Sequence, residues 1–180
     1  TEELCRLAVQ KDGMAIQYVK NQTEDLCLEA VKENGCAIQW VKEQTEAICL
    51  EASKRSSWAF RYSTFKTPEV CLAAVEHDGT ALEEIEHQTP EMCLVAVRQD
   101  GRALLHVQHQ TEELCLEAVK QAPYILEFVK EKTPDICQEA VKRDVFTIQY
   151  VEDQTPEMCE WAFQKDPSCF RFLMHQTEAM

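Results

Sequence analysis

The sequence predicts an all-α fold, an α-solenoid of eight 22-residue helix-turn-helix repeats followed by the start of a ninth. Three observations support this. One pattern recurs every 22 residues without a change of phase, each copy contains a stretch of about ten residues with an apolar helical face, and residues that begin or end helices flank each stretch. The repeats span residues 1–22, 23–44, 45–66, 67–88, 89–110, 111–132, 133–154 and 155–176, and a ninth begins at Thr177.

The first helix of each repeat starts after a threonine, as the second repeat illustrates. Thr23 is suited to an N-cap, and position 2 of every repeat is Glu or Pro, both of which favour a first helical turn. From there Leu26, Cys27, Ala30 and Val31 recur at helical spacing. We therefore expect an amphipathic helix of about ten residues at the beginning of each repeat.

A second, shorter helix follows the first. The Asn34-Gly35 pair suggests that the first helix ends at a glycine with positive φ. At the position of Gly35, however, other repeats have Pro123 and Val145, which do not adopt positive φ readily. The Asp, Asn or Ser at position 12 is better interpreted as the N-cap of another helix. This helix is expected to contain about eight residues, to end near Gln44 in the second repeat, and to turn Ala37, Ile38 and Val41 inward.

Ten cysteines occur in the chain, and eight of them share position 5 of the repeat. Neighbouring stacked helices lie about 8–10 Å apart, farther than the Cα separation of a disulfide, and no CxxC or Cys-x-His spacing suggests zinc. We interpret these thiols as small buried apolar groups and expect an intracellular, reducing compartment. Cys36 and Cys169 lie on second helices, and Cys36 is the more exposed. The eight are Cys5, Cys27, Cys49, Cys71, Cys93, Cys115, Cys137 and Cys159.

Composition and charge exclude several classes of function. The net charge of −14 disfavours sequence-independent binding to nucleic acid, and much of the acid lies in first helical turns, where it offsets the helix dipole. Apolar runs are too short to span a membrane. There is no glycine-rich phosphate loop, GxSxG or HExxH, so we expect neither an enzyme nor a cofactor. Because the chain begins without Met and stops within a repeat, residues 1–180 are expected to be an excerpt from a longer protein whose targeting segments are not visible.

Positions 14 and 18 differ most between repeats, and at least one of the two is aromatic in repeats one to three and six to eight. They are expected one helical turn apart on the second helix, and so to be surface neighbours. Either these rings pack against the adjacent repeat, which would leave a purely structural spacer, or they form a groove that binds a protein or peptide. The candidate partner-binding residues are Tyr18, Trp40, Trp58, Tyr62, Arg102, His106, Tyr124, Phe128, Phe146 and Tyr150.

A metal site is an alternative function for the polar part of this surface in repeats four and five. Glu84 and His87 are three residues apart, and so are His106 and His109, at the same positions of adjacent repeats. Paired Glu-x-x-His elements build di-iron sites in helical bundles. A spacing of about 9 Å between neighbouring helices and the lack of further carboxylates argue against such a site.

The repeat resembles a known family. Residues 89–104 read TPEMCLVAVRQDGRAL and residues 111–120 read TEELCLEAVK, and the consensus T-[PE]-E-x-C-L-x-A-V-x-x-[DN]-G is similar to tandem repeats of domain of unknown function 4116, of the type carried by bacteria and large DNA viruses. The resemblance implies helical repeats and no established activity, so it assigns no catalytic residue. Together with the aromatic positions it leads us to expect a non-enzymatic scaffold or protein-interaction module.

Overall fold

The computed structural model describes residues 1–174 and is all-α, with no strand in that range. The ninth repeat at Thr177 lies outside the described residues. The first helices of the repeats are α1 (Glu2–Lys11), α2 (Glu24–Glu33), α3 (Glu46–Arg55), α5 (Pro68–His77), α6 (Pro90–Gln99), α7 (Glu112–Gln121), α8 (Pro134–Arg143) and α9 (Pro156–Lys165). The second helices are η1 (Gly13–Tyr18), η2 (Gly35–Trp40), α4 (Ser57–Tyr62), η3 (Gly79–Glu84), η4 (Gly101–His106), η5 (Pro123–Phe128), η6 (Val145–Tyr150) and η7 (Pro167–Phe172).

Threonine starts the first helices as predicted. In α2 the Thr23 hydroxyl accepts a hydrogen bond from the Leu26 N–H at 3.3 Å, which satisfies one of the free donors at the helix N-terminus. Six other repeats make the same bond, and in the fourth repeat Thr67 makes none. Each of the eight first helices contains ten residues, which confirms the predicted length.

The second helices are shorter than predicted, with six residues, and all but α4 are 3₁₀-helices. They end at position 18, because the next residue is extended: Val41 has φ −77° and ψ 121°. The predicted N-cap is confirmed for the Asp and Asn residues: the Asp12 carboxylate accepts from the Met14 N–H at 2.9 Å, and five other repeats make the same bond. The prediction is wrong for Ser56, whose side chain makes no such bond. No glycine among the described residues has a positive φ, so the glycine at position 13 does not serve as a left-handed cap.

The 3₁₀ geometry changes which side chains share a surface. With 3.0 residues per turn, residues three apart lie along one edge, so Gly35, Ile38 and Val41 form the buried edge of the second repeat. Positions 14 and 18 then differ by about 120° around the axis, because each residue advances by a third of a turn. The expectation that they are surface neighbours is therefore wrong for the 3₁₀-helices, and it holds only for Trp58 and Tyr62 of the α-helical α4.

In repeats one, two, five and seven, a glutamine at position 22 joins one hairpin to the next. The Gln44 Nε2 donates to the Ile38 carbonyl at 3.3 Å and to the Tyr62 carbonyl at 2.9 Å, while its Oε1 accepts from the Thr64 N–H at 2.9 Å. One side chain thus satisfies carbonyl groups at the ends of two successive second helices. We call this arrangement the glutamine clamp, and it recurs at Gln22, Gln110 and Gln154.

The chain divides into two compact units, Thr1–Val95 and Ala96–Met180. In the first unit α1, α2, α3 and α5 pack in chain order, and so do η1, η2, α4 and η3. In the second unit α7, α8 and α9 form one row and η4 to η7 the other. Within each unit a core of alanine, valine, isoleucine and leucine lies between the two rows. Among the described residues, no helix has the length and apolar character that crossing a bilayer requires.

Glycine at position 13 allows close approach between successive repeats. A Cβ atom at Gly35 would lie 2.6 Å from the Ala52 carbonyl oxygen, well inside normal contact. The backbone of α3 can therefore lie directly against the start of η2.

All ten cysteines are free thiols, and those at position 5 are buried except for the half-buried Cys5. The S–H groups of Cys27, Cys49, Cys115 and Cys159 point to the clamp glutamines, as Cys49 Sγ does to Gln44 Oε1 at 3.4 Å, whereas Cys71 donates to the Lys66 carbonyl. Burial, followed by the charges of nearby glutamates, raises the pKa of Cys115 to about 11. The cysteines therefore act as small buried side chains, as predicted.

Candidate functional site: the aromatic surface of the second helices

Exposed aromatic rings occur along the second helices of the first unit. Tyr18 is 81% exposed, Trp58 59%, Tyr62 45% and Trp40 44%. The backbone that carries these rings is anchored in the core, because positions 16 and 19 of the same three repeats are buried. We call the residues at positions 14 and 18 of the repeats the aromatic surface.

Trp58 is held by a cation. The Arg61 guanidinium carbon lies 4.7 Å from the centre of the indole ring, and the same guanidinium forms an ion pair with Glu84 of η3. A shallow cleft of about 120 Å³ lies beside them, and its lining also includes Asp78 and Thr80. Hydrogen bonds from the N–H and hydroxyl of Thr80 lower the pKa of Asp78, so this carboxylate stays ionised. The cleft therefore combines an indole ring with paired charges of both signs.

At positions 14 and 18 of the second unit, the exposed rings are those of η5, with Tyr124 49% and Phe128 47% exposed. Arg102 is exposed as well, and its Nε donates to both carboxylate oxygens of Asp100, at 3.0 and 2.8 Å. These bonds lower the pKa of Asp100 and raise that of Arg102. His106 is half-buried.

The rings of repeats seven and eight are less accessible. Phe146 and Tyr150 are half-buried, and Phe146 meets Phe172 edge to face with ring centres 6.4 Å apart. Desolvation, followed by the nearby Glu127 carboxylate, raises the pKa of the Tyr150 phenol. Phe146 therefore packs against the adjacent repeat, which is the structural alternative for these positions. The rings of repeats one to three and six are exposed and do not fit that alternative.

The four residues of the metal alternative fall in different units. Glu84 and His87 belong to the first unit, and Glu84 is engaged by Arg61; His106 and His109 belong to the second. Over residues 1–174, no group of three or more His, Cys, Asp and Glu side chains is placed to hold a metal ion.

Sequence reasoning missed a groove on the first helices, between α8 and α9 in the second unit. It has a volume of about 390 Å³. Two departures from the repeat pattern mark it: Gln138 replaces the leucine found at position 6 of repeats two to six, and Trp161 occupies a position that is Glu, Ala, Val or Leu elsewhere.

Comparison with known proteins yields one match. The model of a family described as a domain of unknown function (DUF4116) matches residues 1–46, which span the first two repeats and the start of the third. No curated protein and no solved structure matches the chain. The family match supports the resemblance noted from the sequence over this segment.

Proposed function

We propose that the chain is a non-enzymatic interaction module that binds a protein or peptide on the aromatic surface. The observation that carries this proposal is the exposure of Tyr18, Trp40, Trp58 and Tyr62 on helices whose other edges are fixed in the core. Exposed aromatic and arginine side chains are enriched at protein interfaces and contribute most of their binding energy. The position of these rings on packed repeats keeps the ordering cost of binding small.

Charge and family support the same proposal. A net charge of −14 favours a protein or peptide over a nucleic acid as the partner. We also propose that repeats three to eight belong to the family whose model matches residues 1–46, because their pattern continues in the same phase.

The experiment is selection of a random peptide library on the wild-type protein with counter-selection on a Trp40→Ala, Trp58→Ala, Tyr62→Ala variant. Affinity of the selected peptides is then measured by fluorescence polarisation. Loss of one hot-spot ring costs about 2 kcal/mol, so the triple variant should weaken binding by at least about 30-fold. Trp161→Ala is the matched control, because it removes an exposed ring that lies on a first helix and outside the aromatic surface.

Circular dichroism establishes that the triple variant is folded, as expected for exposed side chains. The proposal fails if selection yields no peptide, or if the selected peptides bind the folded triple variant as tightly as the wild type.

A further inference from the structure

The groove between α8 and α9 lies on the first helices, away from the aromatic surface. Leucine at position 6 is half-buried in repeats two to six, as at Leu28 and Leu116, so part of its side chain packs against neighbouring residues. Gln138 replaces it in α8 and is exposed, and position 6 of α9 is the exposed Glu160. The missing leucine leaves the groove open.

The walls of the groove are apolar. Val141 is buried at its base, Met158 is half-buried, and Trp161 lies along one side with 39% of its surface exposed. Pro134 completes the apolar lining. A volume of about 390 Å³ lies within the range of about 300–1,000 Å³ typical of ligand sites.

The rim of the groove is acidic. Asp135 and Glu157, each in the first turn of its helix, line the rim, and neither carboxylate makes a hydrogen bond or an ion pair within residues 1–174. Lys142 is the single cation among the lining residues of this groove, which leaves one carboxylate in excess. An occupant with a positive charge would therefore complement the rim.

We propose that this groove binds an arginine side chain of a peptide or protein segment. The methylene stem of arginine suits the apolar walls, its planar guanidinium can stack on the Trp161 indole, and its N–H groups match the carboxylates of Asp135 and Glu157. Neutral apolar residues would leave both carboxylates without a partner.

The test is an NMR titration with N-acetyl-arginine amide, observed at the indole N–H signals. The chain has three tryptophans, and Trp40 and Trp58 lie in the other unit, so they serve as internal controls. The Trp161 signal should shift with a dissociation constant of the order of 1–10 mM, while the other two stay unchanged. N-acetyl-citrulline amide, a neutral molecule of the same shape, should bind at least about tenfold more weakly, because the charge-assisted hydrogen bonds are lost.

Two variants complete the test. Gln138→Leu restores the leucine of the earlier repeats and should abolish the shift while preserving the fold. The double variant Asp135→Asn, Glu157→Gln keeps the groove but should weaken arginine binding to the level of citrulline. The proposal is overturned if Trp161 does not shift, if all three tryptophans shift alike, if citrulline binds equally well, or if the folded Gln138→Leu protein still binds.

Discussion

Replacing Gln44 by methionine tests whether the glutamine clamp holds successive hairpins together. Methionine has a similar length and shape but no amide, so the change removes five hydrogen bonds with little change in volume. The Gln44 Nε2 donates to the Ile38 and Tyr62 carbonyls, and its Oε1 accepts from the Thr64 N–H, the Thr64 hydroxyl and the Cys49 thiol. The Ile38 carbonyl is partly buried but keeps the Val41 N–H as a donor, at 3.0 Å, so the loss of the Gln44 bond should cost about 1 kcal/mol. The Tyr62 carbonyl and the two Thr64 groups lie near solvent and can bond to water, and the Cys49 thiol is a weak donor, so together these four losses should cost about 1 kcal/mol or less. The free energy of unfolding should therefore fall by about 2 kcal/mol.

The assay is urea denaturation followed by circular dichroism, together with hydrogen exchange at the Thr64 amide, which reports the local opening if unfolding is not two-state. Gln39→Met is the matched control: this exposed side chain donates only to the Cys36 carbonyl of its own helix, at 3.0 Å, and its loss should change stability by less than about 0.5 kcal/mol. The reverse change, Lys132→Gln, should add about 1 kcal/mol by creating a clamp where the chain has lysine. Equal effects of Gln44→Met and Gln39→Met, or unchanged exchange at Thr64, would refute the clamp.

Three further predictions concern the second helices and the thiols. Hydrogen bonds from Thr80 lower the pKa of Asp78, so the ionised carboxylate stabilises the fold above its unfolded pKa, and this stabilisation is lost as pH falls through the lower folded pKa. Asp78→Asn should therefore reduce the drop in Tm between pH 6 and pH 3. The same drop in the variant and the wild type would contradict this. Gly35→Ala should lower the unfolding free energy by about 1–3 kcal/mol in chemical denaturation, because its Cβ would lie 2.6 Å from a carbonyl oxygen of the next repeat; full stability would show that the backbones move apart freely. With a disulfide reagent at pH 8, Cys5 and Cys36 should react first and the eight buried thiols only on unfolding, so rapid reaction of all ten would be inconsistent with their burial.

The first helices could be predicted from sequence because their determinants are local. Thr23 caps the helix that follows it by accepting from the N–H three residues later, and Leu26, Cys27, Ala30 and Val31 give that helix one apolar face. The structure confirms both features. The N-cap at position 12 was predictable for the same reason.

The 3₁₀ form and the glutamine clamp could not be predicted in this way. A six-residue helix presents too few turns for its period to be distinguished from 3.6. The backbone groups that Gln44 bonds belong to Ile38, six residues before it, and to Tyr62 and Thr64, 18 and 20 residues after it. Its role therefore depends on how two repeats pack. The α8–α9 groove likewise depends on packing, although the loss of leucine at Gln138 was visible in the sequence.

Variation between repeats is by itself weak evidence of function, because exposed positions tolerate any residue. Comparison of positions 17 and 18 is more informative. Position 17 is exposed in all eight repeats and carries Gln, Arg or Glu in seven of them and an aromatic residue in none. Position 18 carries an aromatic residue in six, and the rings of Tyr18, Trp40, Tyr62 and Phe128 are 44–81% exposed. An exposed ring contributes little burial to the fold, so helix stability explains the polar position 17 but not these four rings. Contact with a partner would bury them.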